Sequence, residues 1–186
     1  MIPIVTEECI SKIILSMKNK VSCGIDGISI ITIKDNIDVF IPILVFIYRK
    51  SLQQGTFPSS FKTAAVVPVF KAGDETLVSS YRPISLINSV AKIFEVFLKE
   101  NLLNYFIENN LISNNQYGFL PGKGTDLAIE RHVIEIVSSF DKHEFTLALY
   151  LDFQKAFDMV DNRLLLRKLQ MYGIGGNLLK LFFPSV

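Results

Sequence analysis

One stretch of this sequence concentrates residue types that can do chemistry: Leu147-Ala148-Leu149-Tyr150-Leu151-Asp152-Phe153-Gln154-Lys155-Ala156-Phe157-Asp158. Phe145 to Phe153 is almost continuously apolar and reads as a buried strand. Such a strand delivers the Asp152 carboxylate at its C-terminal end, where a charge must be solvated, paired or bound to metal. Asp is a hard oxygen ligand suited to Mg²⁺, which takes one or two carboxylates together with phosphate oxygens. Two roles therefore fit Asp152: a metal ligand in phosphoryl chemistry, or a cap on the next turn. By residue type alone, Phe157 reads as a core aromatic, and Lys71 and Arg82 as cations on solvated faces.

Other chemistries are excluded by pattern. There is no Cys/His cluster of zinc-ligand spacing, and His132 and His143 stand apart from each other and from any nucleophile. Gly118 to Thr125 has the look of a phosphate-binding glycine loop. It is one residue short between glycines, and Gly124 separates Lys123 from Thr125, which removes that reading.

The elements that must position these residues are set by periodicity and punctuation. Thr6 to Lys18 reads as a helix capped near Thr6, with Ile10, Ile13, Ile14 and Met17 on one face. After the Ser22–Gly27 loop, Asp38 to Gln54 reads as a mostly buried helix stopped by Gly55, with Pro42 in its first turn. Ala64 to Phe70 and Tyr81 to Ile87 read as extended, joined through a Lys71–Asp74 turn, and Pro83 points to an edge or strand end. Ser89 to Glu108 has helical periodicity. Gln116 to Thr125 is a glycine-rich loop, and Thr125 or Asp126 caps a helix to about Phe140. Asn162 to Tyr172 is a further helix, capped by Asp161 and stopped by Gly173. The class is α+β or mixed α/β.

Composition sets outer bounds. The 186 residues are 49% hydrophobic, with a net charge of +1 and mean hydropathy of +0.36. The longest apolar run, Val39 to Tyr48, is broken by Pro42 and falls short of the roughly 20 residues a bilayer crossing needs. The opening residues are acidic where a signal peptide is basic. These features predict an intracellular chain without a membrane segment. Cys9 and Cys23 alone make no disulfide framework.

The string ending in Asp158 resembles motif A of reverse transcriptases in the non-LTR retrotransposon (LINE-type, jockey-like) form. Further segments are similar to the same family in the same order. Gly24-Ile25-Asp26-Gly27 resembles its N-terminal motif. Gly55-Thr56-Phe57-Pro58 and Phe61 to Asp74 resemble the first fingers segment, and Tyr81-Arg82-Pro83-Ile84-Ser85-Leu86 the second. Lys92-Ile93-Phe94-Glu95 resembles the helix after the fingers segments, Gln116-Tyr117-Gly118-Phe119 the family's next motif, and Leu164 to Gly173 the helix after motif A. The resemblance departs at Leu120, where the family usually has Arg, and at Gly124-Thr125, where it has Ser-Thr.

The resemblance implies an α+β fold: the fingers (mainly 1–125) and the beginning of the palm (126–186) of a right-hand polymerase, with the palm sheet incomplete and the thumb absent. It implies an RNA-directed DNA polymerase acting on an RNA template, a DNA primer and deoxynucleoside triphosphates with two Mg²⁺ ions. Asp152 would be the catalytic metal ligand, with the backbone carbonyl of Phe153 beside it. Phe157 would stack under the sugar and exclude a ribose 2′ hydroxyl. Lys71 and Arg82 would hold the triphosphate, and Gln116 and Gly118 would lie near the template–nucleotide pair. The family's second carboxylate motif, an aromatic-x-Asp-Asp turn, is not in these 186 residues, which contain no Asp-Asp pair. The resemblance would continue past Phe183-Pro184-Ser185-Val186. The chain alone is therefore expected to be inactive and prone to self-association through an exposed palm edge. The alternative is a nucleic-acid-binding remnant, using Lys62, Lys71, Arg82 and Lys123, with no catalysis.

Overall fold

The structure, a computed structural model, describes residues 3–182, so Phe183 to Val186 lie outside the described residues. The chain forms two compact units. The larger is built from the segments before Phe106 and after Asn162, and the smaller is Phe106–Asn162.

The larger unit is organised by helices whose ends are fixed locally. Helix α1 (Glu7–Ser16) starts where the Thr6 hydroxyl accepts from the Cys9 amide, with Glu7 and Glu8 complementing the helix dipole. The Lys34 ammonium completes its far end, donating to the Met17 carbonyl at 2.6 Å and to Asn19 Oδ1 at 2.8 Å. A short helix that periodicity missed, α2 (Ile30–Asp35), begins where the Ser29 hydroxyl accepts from the Thr32 amide. Helix α3 (Ile37–Gln54) ends at Gly55, whose φ of 65° is the left-handed conformation that a glycine stop predicts.

Pro42 is a correction. Because α3 begins at Ile37, with the Val39 and Phe40 amides both donating to the Asn36 carbonyl, Pro42 lies inside the helix and not in its first turn. The donor it lacks would have served the carbonyl of Asp38, an exposed residue that water can reach.

Strands β1 (Ala64–Phe70) and β2 (Tyr81–Ile87) form an antiparallel pair running from Ala64 opposite Ile87 to Phe70 opposite Tyr81. This register sets Pro68 opposite Pro83. Neither proline can donate to a ladder, so their pairing at a non-hydrogen-bonded step sacrifices nothing. Helix α4 (Ser89–Glu108) comes next, with the bounds its periodicity predicts. Its Ile93, Phe94 and Phe97 are buried. Phe94 stacks on Tyr48 at 4.5 Å between ring centroids, and the Tyr48 hydroxyl donates to the Val90 carbonyl at 2.7 Å. The chain returns to this unit through α6 (Asn162–Met171) and α7 (Gly176–Phe182). Ile174, Leu178 and Leu181 are buried there, and Gly55 packs against the Asn177 backbone.

The smaller unit holds α5 (Thr125–Asp141). Its N-cap is Gly124 in extended conformation, not Thr125 or Asp126; those two begin the helix, where Asp126 still complements the dipole. The expected strand from Phe145 to Phe153 is absent. The described residues contain one sheet, and it has only two strands, β1 and β2. A strand exists only by pairing its backbone with a neighbour. No other described segment pairs with this one, and its apolar side chains stand in solvent, Leu147 at 96% and Leu149 at 79% exposure. Asp152 accordingly ends an exposed segment, not a central sheet. The fold is thus mixed helix and strand with a small antiparallel sheet. Among the described residues no helix is long and apolar enough to cross a membrane.

Candidate functional site

The β1–β2 hairpin positions the two cations singled out in the sequence. Residues directly opposite in an antiparallel pair share a face, and faces alternate along each strand. Arg82 stands opposite Val69, and Lys71 lies two residues beyond Val69, where its amide donates to the Ser80 carbonyl at 2.8 Å. Lys71 and Arg82 therefore share one face of the hairpin. The other face carries Phe70 and Tyr81, whose rings meet edge to face at 5.6 Å. Most of the hairpin is exposed. The connection between the strands is ordered by Asp74, whose carboxylate accepts from both the amide and the hydroxyl of Thr76 and is held below the usual carboxylate range by these bonds.

The smaller unit brings together a second set. The Gln116 side-chain amide donates to the Gly118 carbonyl at 3.2 Å, which curls the start of the glycine loop on itself. Phe119 has a φ of 63°, an uncommon conformation for a bulky residue, and its ring meets Phe157 edge to face at 6.4 Å. Phe157 is thus set against the loop that bears Gln116 and Gly118. It remains 81% exposed, so it is not the core aromatic its type suggests. Between Asp152 and Phe157 the chain turns sharply through Lys155 at φ 51°, and the Met159 amide donates to the Lys155 carbonyl at 3.1 Å. Asp152 and Phe153 stand at the exposed entrance to this turn. Lys71 and Arg82 belong to the larger unit; the other five candidates belong to the smaller.

Two contacts here had no signal in the sequence. His132 on α5 hydrogen-bonds Tyr150 through Nε2 at 2.7 Å, tying the segment before Asp152 to that helix. Their separation of 18 residues has no periodic meaning. Lys123, a candidate for nucleic-acid contact, donates to the Asn114 carbonyl at 2.8 Å and lies 5.4 Å from the Tyr117 ring centroid, so it also orders its own loop.

The donor set does not fit a two-magnesium centre. Among the described residues no three His, Cys, Asp or Glu side chains are grouped so as to hold a metal ion. One exposed carboxylate cannot hold two divalent ions against water.

Comparison with known proteins supplies the family. The profile of the family described as "Reverse transcriptase (RNA-dependent DNA polymerase)" matches residues 69–185, which include Lys71, Arg82, the glycine loop and Asp152. The chain is 35% identical over 159 residues to the probable RNA-directed DNA polymerase from transposon BS of Drosophila melanogaster, covering 85% of this chain and 17% of that protein. It is 32% identical over 157 residues to the RNA-directed DNA polymerase from mobile element jockey of Drosophila funebris, covering 84% of this chain and 17% of that one. The probable polymerase from transposon X-element of Drosophila melanogaster is 28% identical over 156 residues, covering 83% of this chain and 17% of its own length. The chain spans about a sixth of the length of these relatives. With the motif A string and the hairpin cations both inside the matched region, the chain belongs to the reverse transcriptase family, in its jockey-like, non-LTR retrotransposon branch.

Proposed function

We propose that this chain is the fingers and first part of the palm of an element-encoded RNA-directed DNA polymerase, and that it does not polymerise by itself. Residues 1–125 serve mainly as fingers and 126–186 begin the palm. The observation that carries this reading is the position of the motif A string, ending in Asp158, within the residues matched by the reverse transcriptase profile. Asp152 would contribute one carboxylate ligand for Mg²⁺, beside the Phe153 carbonyl; among the described residues no three metal-ligating side chains are grouped to complete such a centre. Lys71 and Arg82, on one exposed hairpin face, suit a triphosphate: Arg offers a planar pair of donors and Lys a point charge. Gln116 and Gly118 border the template–nucleotide pair. Phe157, fixed against Phe119 with its ring still open to solvent, is available to lie under a deoxyribose and clash with a 2′ hydroxyl. RNA template, DNA primer and deoxynucleoside triphosphates are the implied partners.

The test is primer extension in two arms. With Mg²⁺, an RNA template, a DNA primer and deoxynucleotides, the purified 186-residue chain gives no extension above background. A chimera in which it replaces the matching segment of the jockey polymerase extends the primer, and D152N in that chimera abolishes extension. Extension by the chain alone, or full activity of the D152N chimera, would overturn the reading.

A further inference from the structure

A cleft of about 310 Å³ opens in the larger unit where the segment after α1, the end of β2 and the start of α4 meet. Lys18, Lys20 and Lys92 line it together with the hydroxyl residues Ser22 and Ser85, and no acidic residue is among its lining. In a chain of net charge +1, three ammonium groups around one concavity are a local departure from the average. Glu95 feels the charge of Lys92 but does not line the cleft.

The walls are fixed by bonds of their own. Lys34 holds Met17 and Asn19, which flank Lys18. On the other side, the Ser89 hydroxyl donates to the Ile28 carbonyl at 2.7 Å. Gly24 packs directly on the Asn88 backbone, where an added Cβ would lie 2.7 Å from the Asn88 Cα. A concavity built this way gives up little freedom when it binds. The rest of the lining is mainly aliphatic, with Ser89 and Cys23 beside it, and has no aromatic ring on which a base could stack. Cations, hydroxyls and aliphatic surface without a stacking platform match a sugar–phosphate backbone, not a base.

We propose that this cleft grips the sugar–phosphate backbone of a nucleic-acid strand, independently of sequence, at a site separate from Lys71 and Arg82. The choice of a polynucleotide over a small phosphorylated molecule rests on the polymerase function proposed for the chain. The shared chemistry is a phosphate oxyanion, and the experiment separates the two sources.

A fluorescein-labelled RNA–DNA hybrid with a single-stranded RNA overhang is titrated with the full chain, by anisotropy, from about 50 to about 200 mM salt. K18Q/K20Q/K92Q is expected to weaken binding at low salt by about tenfold or more and to flatten the slope of log affinity against log salt by about 2 to 3. All three side chains are exposed, so its thermal melt stays that of the parent. K18R/K20R/K92R keeps the parent slope, because charge is retained. A deoxynucleoside triphosphate does not displace the hybrid from the cleft. Hybrid binding unchanged in the glutamine triple variant but weakened in K71Q/R82Q would overturn the cleft and leave the polymerase reading standing. Salt-independent or absent hybrid binding by the parent would overturn the cleft, whereas the polymerase reading stands or falls with the chimera. Displacement of the hybrid by triphosphate in the parent but not in the triple variant would overturn the polynucleotide assignment.

Discussion

The two units differ in how much core they hold. In the larger one, Tyr48, Phe94, Phe97 and the aliphatic faces of α1, α3, α4 and α7 are buried, and rings stack on rings. In the smaller, no residue from Phe106 to Asn162 is buried, although this is where Asp152, Phe157 and the glycine loop lie. Burial of apolar area is the main favourable term in folding. The first unit therefore has its own source of stability. The second has an apolar stripe on α5 (Val133, Ile134, Val137, Phe140) and an apolar segment beyond it, each exposed. Surface of that kind drives association. The chain is expected to self-associate, as size-exclusion chromatography with light scattering would report; a monodisperse monomer would count against it.

The contrast can be broken most directly by truncating one aromatic in each unit. Phe94→Ala, which empties the centre of the ring stack formed with Tyr48, Phe57 and Phe97, should lower unfolding stability by about 3–5 kcal/mol in urea. Phe157→Ala should stay within about 0.5 kcal/mol of the parent. Equal losses would mean the smaller unit has a core after all. Next in size, Gly24→Ala forces a methyl group onto Asn88 and should destabilise by about 1–3 kcal/mol in the same assay. Tyr48→Phe removes only the bond to the Val90 carbonyl, a loss of about 0.5–1.5 kcal/mol.

The smallest effect concerns pH. Partial burial raises the Glu95 carboxyl above its ordinary range, against the lowering pull of Lys92. The folded chain then holds this proton more tightly than the unfolded one. Stability falls as pH rises from the ordinary carboxylate value through the raised one. Glu95→Gln should melt slightly higher than the parent at neutral pH, and the gap should close in acid. A gap that widens on acidification would reverse the assignment.

Legibility in the sequence divides along the same line. Thr6, Gly55, the two strands and the full length of α4 were legible because caps, glycine stops and periodicity act locally. The strand expected at Phe145–Phe153 was not delivered because composition records a preference for burial, not the presence of a neighbour to pair with. Helix α2 had its signal in Ser29, whose hydroxyl caps it. α7 is too short for periodicity to speak. The proposed site residues came as a list: motif order singled out Asp152, Arg82 and Phe157. That Lys71 and Arg82 share a face depends on the register set opposite Pro68 and Pro83, which no single strand discloses.

The return of the chain at Ile174, Leu178 and Leu181 has a consequence in time. The body that begins at α1 is closed by residues made about seventy positions after α4, with the whole Phe106–Asn162 excursion synthesised between. At about 5–20 residues per second, a ribosome takes roughly 4–15 s to cross that gap. During that interval the groove that receives α7 is still unfilled, while the segment bearing Asp152, with no core of its own, is being made.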